Sequence, residues 1–169
     1  MNALDRSIHE HIPRLRRYAR ALVGDRTLAD DLVQDTLERA LTRFHLWRQG
    51  SDLRAWLFSI MHNIHIDQVR VRGKRSMELL DDHETDLSTR ATQTDQLEIR
   101  DLGQSLKRLP GEQREILLLV ALEQMTYEEV AVVLRIPVGT VMSRLSRGRE
   151  RLRALLEGRP PATPLKVVK

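Results

Sequence analysis

Apolar residues recur three and four positions apart along most of this chain, the spacing that gathers them on one side of an α-helix. They make a first amphipathic segment of "IHEHIPRLRRYARALVG", which closes at Gly24. A second, "TLADDLVQDTLERALTRF", has the stripe Leu32, Val33, Leu37, Ala40, Leu41 and Phe44. The third, "SDLRAWLFSIMHNIHIDQVRVR", offers Leu53, Leu57, Ile60, Ile64 and Val71 to a core, with Trp56 at its start. Trp56 reads as a core aromatic more readily than as a base-stacking platform. Alternation of β-branched with polar residues is rare, so the pattern predicts an all-α chain.

Further along, "LEIRDLGQSLKRL", "GEQREILLLVALEQ", "YEEVAVVLR" and "VGTVMSRLSRGRERLRALL" repeat the helical spacing. On the last of these Val141, Leu145, Gly148, Leu152, Leu155 and Leu156 share a stripe, and Met142, Ser143, Ser146, Arg147, Glu150 and Arg151 lie off it. Between the two groups the apolar pattern lapses into "SMELLDDHETDLSTRATQTDQ", whose Asp, Glu, Ser and Thr read as a mobile linker. After Gly158, "RPPATPLKVVK" reads as a disordered tail. The chain therefore divides into two small helical domains, residues 1–75 and 97–157, a flexible acidic linker over 76–96, and a tail from 158 to 169.

Composition narrows the function classes. With 169 residues, a net charge of +4 and a pI near 9.9, a nucleic-acid partner is permitted, provided that the basic residues are segregated, as they are here. The absence of cysteine excludes disulfides, thiolate metal sites and cysteine nucleophiles. No apolar run is long enough to span a bilayer, and "MNALDRSIHEHIPRLRRYAR" lacks the apolar centre of a signal peptide, so the expectation is a soluble cytoplasmic protein without membrane insertion. His62 and His65 stand one helical turn apart, but no carboxylate or cysteine pattern completes a metal site. Nor is there a phosphate-binding glycine loop or a nucleophile motif. Neither a cofactor, a metal nor an enzymatic activity is expected.

The most specific local pattern is "MTYEEVAVVLRIPVGTVMSRL", laid out as a helix-turn-helix. Thr126 and Glu129 have capping-box spacing and fix the start of the first helix. Val130, Ala131 and Leu134 supply its inner face. The turn runs Arg135, Ile136, Pro137, Val138, where proline ends one helix, and Gly139 and Thr140 open the next. In this motif the second helix lies in the DNA major groove with its N-terminal residues on base edges, which directs Met142, Ser143 and Arg147 inward. Arg147 can donate two hydrogen bonds to a guanine edge. Arg144, Arg149, Arg151 and Arg153 suit phosphates or surface salt bridges. An ordinary helical hairpin would use the same elements without DNA.

"LPGEQREILLLVALEQMTYEEVAVVLRIPVGTVMSRLSRGRERLR" resembles region four of the extracytoplasmic-function sigma factors, small bacterial transcription initiation factors. "LADDLVQDTLERAL" followed by "DLRAWLFSIMHNIHIDQVR" is similar to region two of the same family. Both occur in the family's order and cover nearly everything except linker and tail. The resemblance implies that region two binds the β′ clamp of core RNA polymerase and opens minus-10 DNA, while region four reads minus-35 DNA and contacts the β flap. It assigns core polymerase to Asp31, Gln34, Asp35 and Glu38. The minus-10 strand falls to the loop from Trp47 to Asp52, an exposed face with Ser59, His62, Asn63 and Arg70, and the basic Arg72, Lys74 and Arg75. The minus-35 element falls to Thr140, Met142, Ser143, Arg144 and Arg147. Two positions depart from the family's habit: Arg135 stands where a glycine is common, and Met142 where a basic residue is common. The resemblance also implies an anti-sigma factor as partner. Two other functions share these features, a helix-turn-helix regulator that works without polymerase and a sigma-like decoy that sequesters an anti-sigma factor. Retention of Asn63, Arg70, Ser143 and Arg147 speaks against the decoy.

Overall fold

A computed structural model describes residues 3–78 and 94–158. Every long element is a helix and, among the described residues, there is no strand: α1 Ala3–Val23, α2 Arg26–Thr42, a single 3-10 turn at Phe44–Leu46, α3 Leu53–Glu78, α4 Thr94–Lys107, α5 Gly111–Ala121, α6 Tyr127–Leu134 and α7 Val138–Leu156. The linker expected over 76–96 lies mostly outside the described residues, as does nearly all of the tail. Where they meet it, α3 continues through Glu78 and α4 begins at Thr94.

In the first unit, α2 packs between α1 and α3. Gly24 makes the break after α1 at φ +75, a left-handed conformation in which glycine pays no Cβ penalty, and its N–H caps the Arg20 carbonyl at 3.0 Å. Asp25 then starts α2, its carboxylate accepting the Leu28 N–H at 2.8 Å. Leu15, Leu22, Leu32, Leu57 and Met61 are fully buried, and Tyr18 meets Phe58 edge to face at 5.0 Å. Trp56 packs against this core, T-shaped to Phe44.

In the second unit α5 lies against α7, with α6 bridging them and α4 on the side of α7. Ile116, Leu119, Val130, Val133, Val141 and Leu145 fill its interior. Gly148 allows the closest approach: a Cβ there would stand 3.2 Å from Leu117 Cδ1 and 3.3 Å from Gln113 Cβ. The two units are packed together, α6 on α3 and both α4 and α5 on α1, and their buried residues form one contiguous cluster.

Three stripe residues are exposed. Leu41, Val71 and Leu156 are each about half exposed, because at the ends of α2, α3 and α7 the apolar spacing continues past the last helix that could cover it. From Val69 to Met77 basic side chains are interspersed with apolar and small ones, and every one of these residues is exposed. Among the described residues no helix is long and apolar enough to cross a membrane.

Candidate nucleic-acid interface

The helix-turn-helix is built as its local sequence dictates. Thr126 accepts the Glu129 N–H at 3.1 Å while the Glu129 carboxylate accepts the Thr126 N–H at 2.8 Å, so both bonds of the capping box are made. Arg135 ends α6 in the left-handed region, φ 54 and ψ 47, with its N–H on the Ala131 carbonyl. The Ile136 N–H joins it there at 3.1 Å. A bulky residue thus takes the conformation that glycine adopts without cost. Pro137 then precedes α7 at φ −62, and the helix begins one residue earlier than expected, at Val138.

On α7 the expected minus-35 residues separate into three groups. Ser143 and Arg147, one turn apart, are both exposed. Met142, 52% exposed, instead lines a shallow concavity with Tyr127, Ser146, Arg149, Glu150 and Arg153. Arg144 is turned back against α5, where its guanidinium lies 3.6 Å from the Glu112 carboxylate, and Thr140 is half buried at the helix start.

On α2 the residues expected at polymerase, Asp31, Gln34, Asp35 and Glu38, are all exposed. Asp35 accepts a hydrogen bond from Gln68 of α3 at 3.2 Å. Gln34 and Glu38 edge a groove between α1 and α2 whose apolar residues are Val33, Leu37 and Leu41 and whose far side carries Arg16 and Arg20.

The minus-10 set is divided. Arg70, Arg72, Lys74 and Arg75 are exposed on the outer end of α3, Arg72 donating to the Gln68 amide oxygen at 3.5 Å. Ser59 is half buried and donates to the Ala55 carbonyl at 2.8 Å, and Asn63 is half buried. His62 does not lie on an exposed face. Its side chain is 16% exposed and its Nδ1 is 2.5 Å from the Glu115 carboxylate of α5, because the second unit packs over this part of α3.

That contact belongs to a set of residues that helical periodicity did not single out. Arg17 reaches the Glu123 carboxylate and the Leu122 carbonyl, both at 3.3 Å. Arg54 donates to the Glu123 carbonyl at 3.1 Å and lies 3.4 Å from the Glu129 carboxylate. Arg114 donates to four carbonyls, Leu22 at 2.8 Å, Leu106 at 2.9 Å, Leu109 at 3.0 Å and Lys107 at 3.2 Å. The available signal was Glu115 and Glu123 themselves, two acids set into the apolar run of "EILLLVALE". Burial, with the Glu115 and Glu123 carboxylates nearby, pushes the Tyr18 phenol well above its ordinary pKa. Burial also holds the His65 imidazole below its ordinary value, the Glu115 carboxylate opposing. Among the described residues no group of three or more His, Asp or Glu is arranged to hold a metal ion.

Two family profiles match the chain, one described as the Sigma2 domain of PhyR over residues 8–62 and one as Sigma-70, region 4 over residues 99–152. The ECF RNA polymerase sigma factor EcfG of Rhodopseudomonas palustris is 39% identical over 145 residues, covering 86% of this chain and 80% of its own. The sigma factor RpoE from Bartonella quintana, solved with the anti-sigma factor NepR, superposes with a TM-score of 0.83 at 32% identity, covering 93% of this chain and 98% of that one. CnrH, solved with the cytosolic domain of CnrY, gives a TM-score of 0.69 at 28% identity over 91% of this chain and 87% of its own.

Proposed function

Because the chain belongs to the extracytoplasmic-function sigma factors, the initiation factors that direct RNA polymerase to promoters, we propose how its surfaces divide that work. The exposed acidic side of α2 docks on the β′ clamp of core polymerase, where Asp31, Asp35 and Glu38 complement a basic patch. The start of α7 enters the major groove of the minus-35 element, with the second unit also meeting the β flap. The α3 side, from Ser59 through Asn63 to the basic Arg70–Arg75 end, receives the minus-10 strand.

One observation carries the reading. Ser143 and Arg147 stand exposed together on the second helix of a helix-turn-helix whose first helix is capped at both ends, and Gly148 seats the second helix firmly on α5. Base reading needs such a pair on a fixed support. Arg144, tied to Glu112, positions α7 more than it reads DNA. Promoter opening on this scheme is binding work: capture of unpaired bases offsets an unpairing cost of a few kcal/mol, with no covalent step. The chain works where polymerase is, in the cytoplasm. An anti-sigma factor is an expected partner, since RpoE of Bartonella quintana is held by one.

Transcription from a promoter library by core polymerase, with and without the chain, tests this. Chain-dependent transcripts should share a minus-35 sequence. Arg147→Ala should cost about 1–3 kcal/mol at that sequence and flatten preference at one position, as expected for loss of a bidentate base contact. A library with no chain-dependent transcripts would overturn the function, and a uniform loss across all sequences would overturn the role of Arg147.

A further inference from the structure

Met142 puts a large apolar side chain into solvent on the first turns of α7, 52% exposed, while its exposed neighbours Ser143, Ser146 and Arg147 are polar. A single exposed apolar residue is ordinary on a protein surface, and what sets this one apart is its place. Each residue of a helix turns by about 100°, so Met142 lies beside Ser143 and one turn before Ser146. It closes a shallow concavity between the start of α6 and the side of α7, where Tyr127, Ser146 and the buried Leu145 form the other walls. Arg149 and Arg153, one turn apart, edge the same concavity, with Glu150 between them. The floor is apolar and the rim mostly cationic.

We propose that Met142 is a specificity-determining residue that reads the C5-methyl group of a thymine in the minus-35 element. This rests on the reading of α7 as the major-groove helix given above. A thioether has no hydrogen to donate and accepts only weakly, so Met142 cannot select guanine, cytosine or adenine by a hydrogen bond. The base edges in the major groove carry one apolar group, the thymine methyl, and an apolar side chain placed there recognises that group. The contact also takes exposed apolar surface of Met142 out of water. Its unbranched chain has three rotatable bonds, so the sulfide and its methyl can settle on the base without any movement of the α7 backbone. Arg149 and Arg153 take the phosphates beside the concavity, while Ser143 and Arg147 face bases from the neighbouring side of the helix. Met142 precedes Arg147 by about 7.5 Å of helix axis, roughly two base pairs at about 3.4 Å each, so the thymine lies within about that distance of the position Arg147 reads.

Holoenzyme made from core polymerase and the full chain is bound, at fixed salt, to the promoter selected from the library, with each minus-35 thymine replaced in turn by deoxyuridine. The replacement removes the methyl group and leaves every hydrogen-bonding edge in place. One such replacement should weaken binding about three- to fivefold, the loss expected for one methyl no longer taken out of water. Met142→Ala should bind the thymine and deoxyuridine templates equally. Met142→Leu should keep the difference, and Met142→Gln, of similar length with a polar end, should lose it. A minus-35 consensus with no A·T pair inside that reach would overturn the proposal, as would a deoxyuridine penalty as large in Met142→Ala as in the parent. In either case Arg147→Ala, by flattening preference in the same assay, would leave α7 standing as the reading helix. An Arg147→Ala holoenzyme with unchanged preference, together with a Met142→Ala holoenzyme that keeps the penalty, would overturn the reading of α7 as well.

Discussion

Arg114→Met keeps the length and apolar stem of the side chain and removes its five donors. Arg114 bonds to carbonyls of Leu22, next to last in α1, and of Leu106 and Lys107, the last two residues of α4, together with Leu109 in the turn before α5. Helix C-termini leave carbonyls without partners and carry partial negative charge, so one guanidinium caps two helices at once. A hydrogen bond to a charged group contributes roughly 1.5–3 kcal/mol net. Four would exceed 6 by simple addition, but they share one group and water reaches the more exposed carbonyls, so we expect a loss of about 2–4 kcal/mol. Burial already lowers the Arg114 pKa below its ordinary value, the sign that its solvation has been given up for these bonds. Such a loss is a large part of the roughly 5–15 kcal/mol that holds a domain folded. Urea unfolding measures it, followed by far-UV circular dichroism for all helices and by tryptophan fluorescence for the first unit, which holds both Trp47 and Trp56. Arg114→Lys should recover less than half, since an ammonium cannot span four carbonyls. Midpoints for Arg114→Met within about 0.5 kcal/mol of the parent, the range of an ordinary surface change, would refute the capping argument.

Arg135→Gly should stabilise the chain by about 0.5–1 kcal/mol, because relief of a left-handed residue at φ 54 exceeds the added freedom of the unfolded chain and the exposed Arg135 side chain gives up no buried contact. A lower urea midpoint would contradict this. His65 supplies a pH dependence: its folded pKa is lowered, chiefly by burial, so as pH falls the unfolded chain takes up the proton first. Stability should be level above about pH 6.5 and decline below it, reaching its full loss only beneath the folded pKa, and His65→Gln should flatten that decline. Equal slopes for parent and variant between pH 7 and 5 would show that another group is responsible.

What could be read in the chain was what is local. The capping box at Thr126 and Glu129, the proline boundary at Pro137 and the stripe through Val141 and Leu145 each depend on neighbours within a few residues, and each formed as its spacing required. The αL turn at Arg135 was legible as a position and needed the backbone to show that arginine occupies it. Periodicity overshot at Leu41, Val71 and Leu156 because it marks which side of a helix is apolar, not where the covering helix stops. It could not place His62 or Arg54, whose partners lie on the other unit, nor Arg114, whose carbonyls come from both. The face of α3 expected to be open was therefore partly closed, a fact set by packing between units and not by any pattern along α3.

The missing side chain at Gly148 leaves no cushion between α7 and α5: backbone of one rests on Leu117 and Gln113 of the other. Interiors packed this closely transmit displacement and do not absorb it. α5 also bears Glu115, which meets His62 of the first unit, so the seam between the units and the helix that carries Ser143 and Arg147 belong to one stiff piece. A load borne at one end of that piece is felt at the other, so the placing of Ser143 and Arg147 is tied to the seam with the first unit.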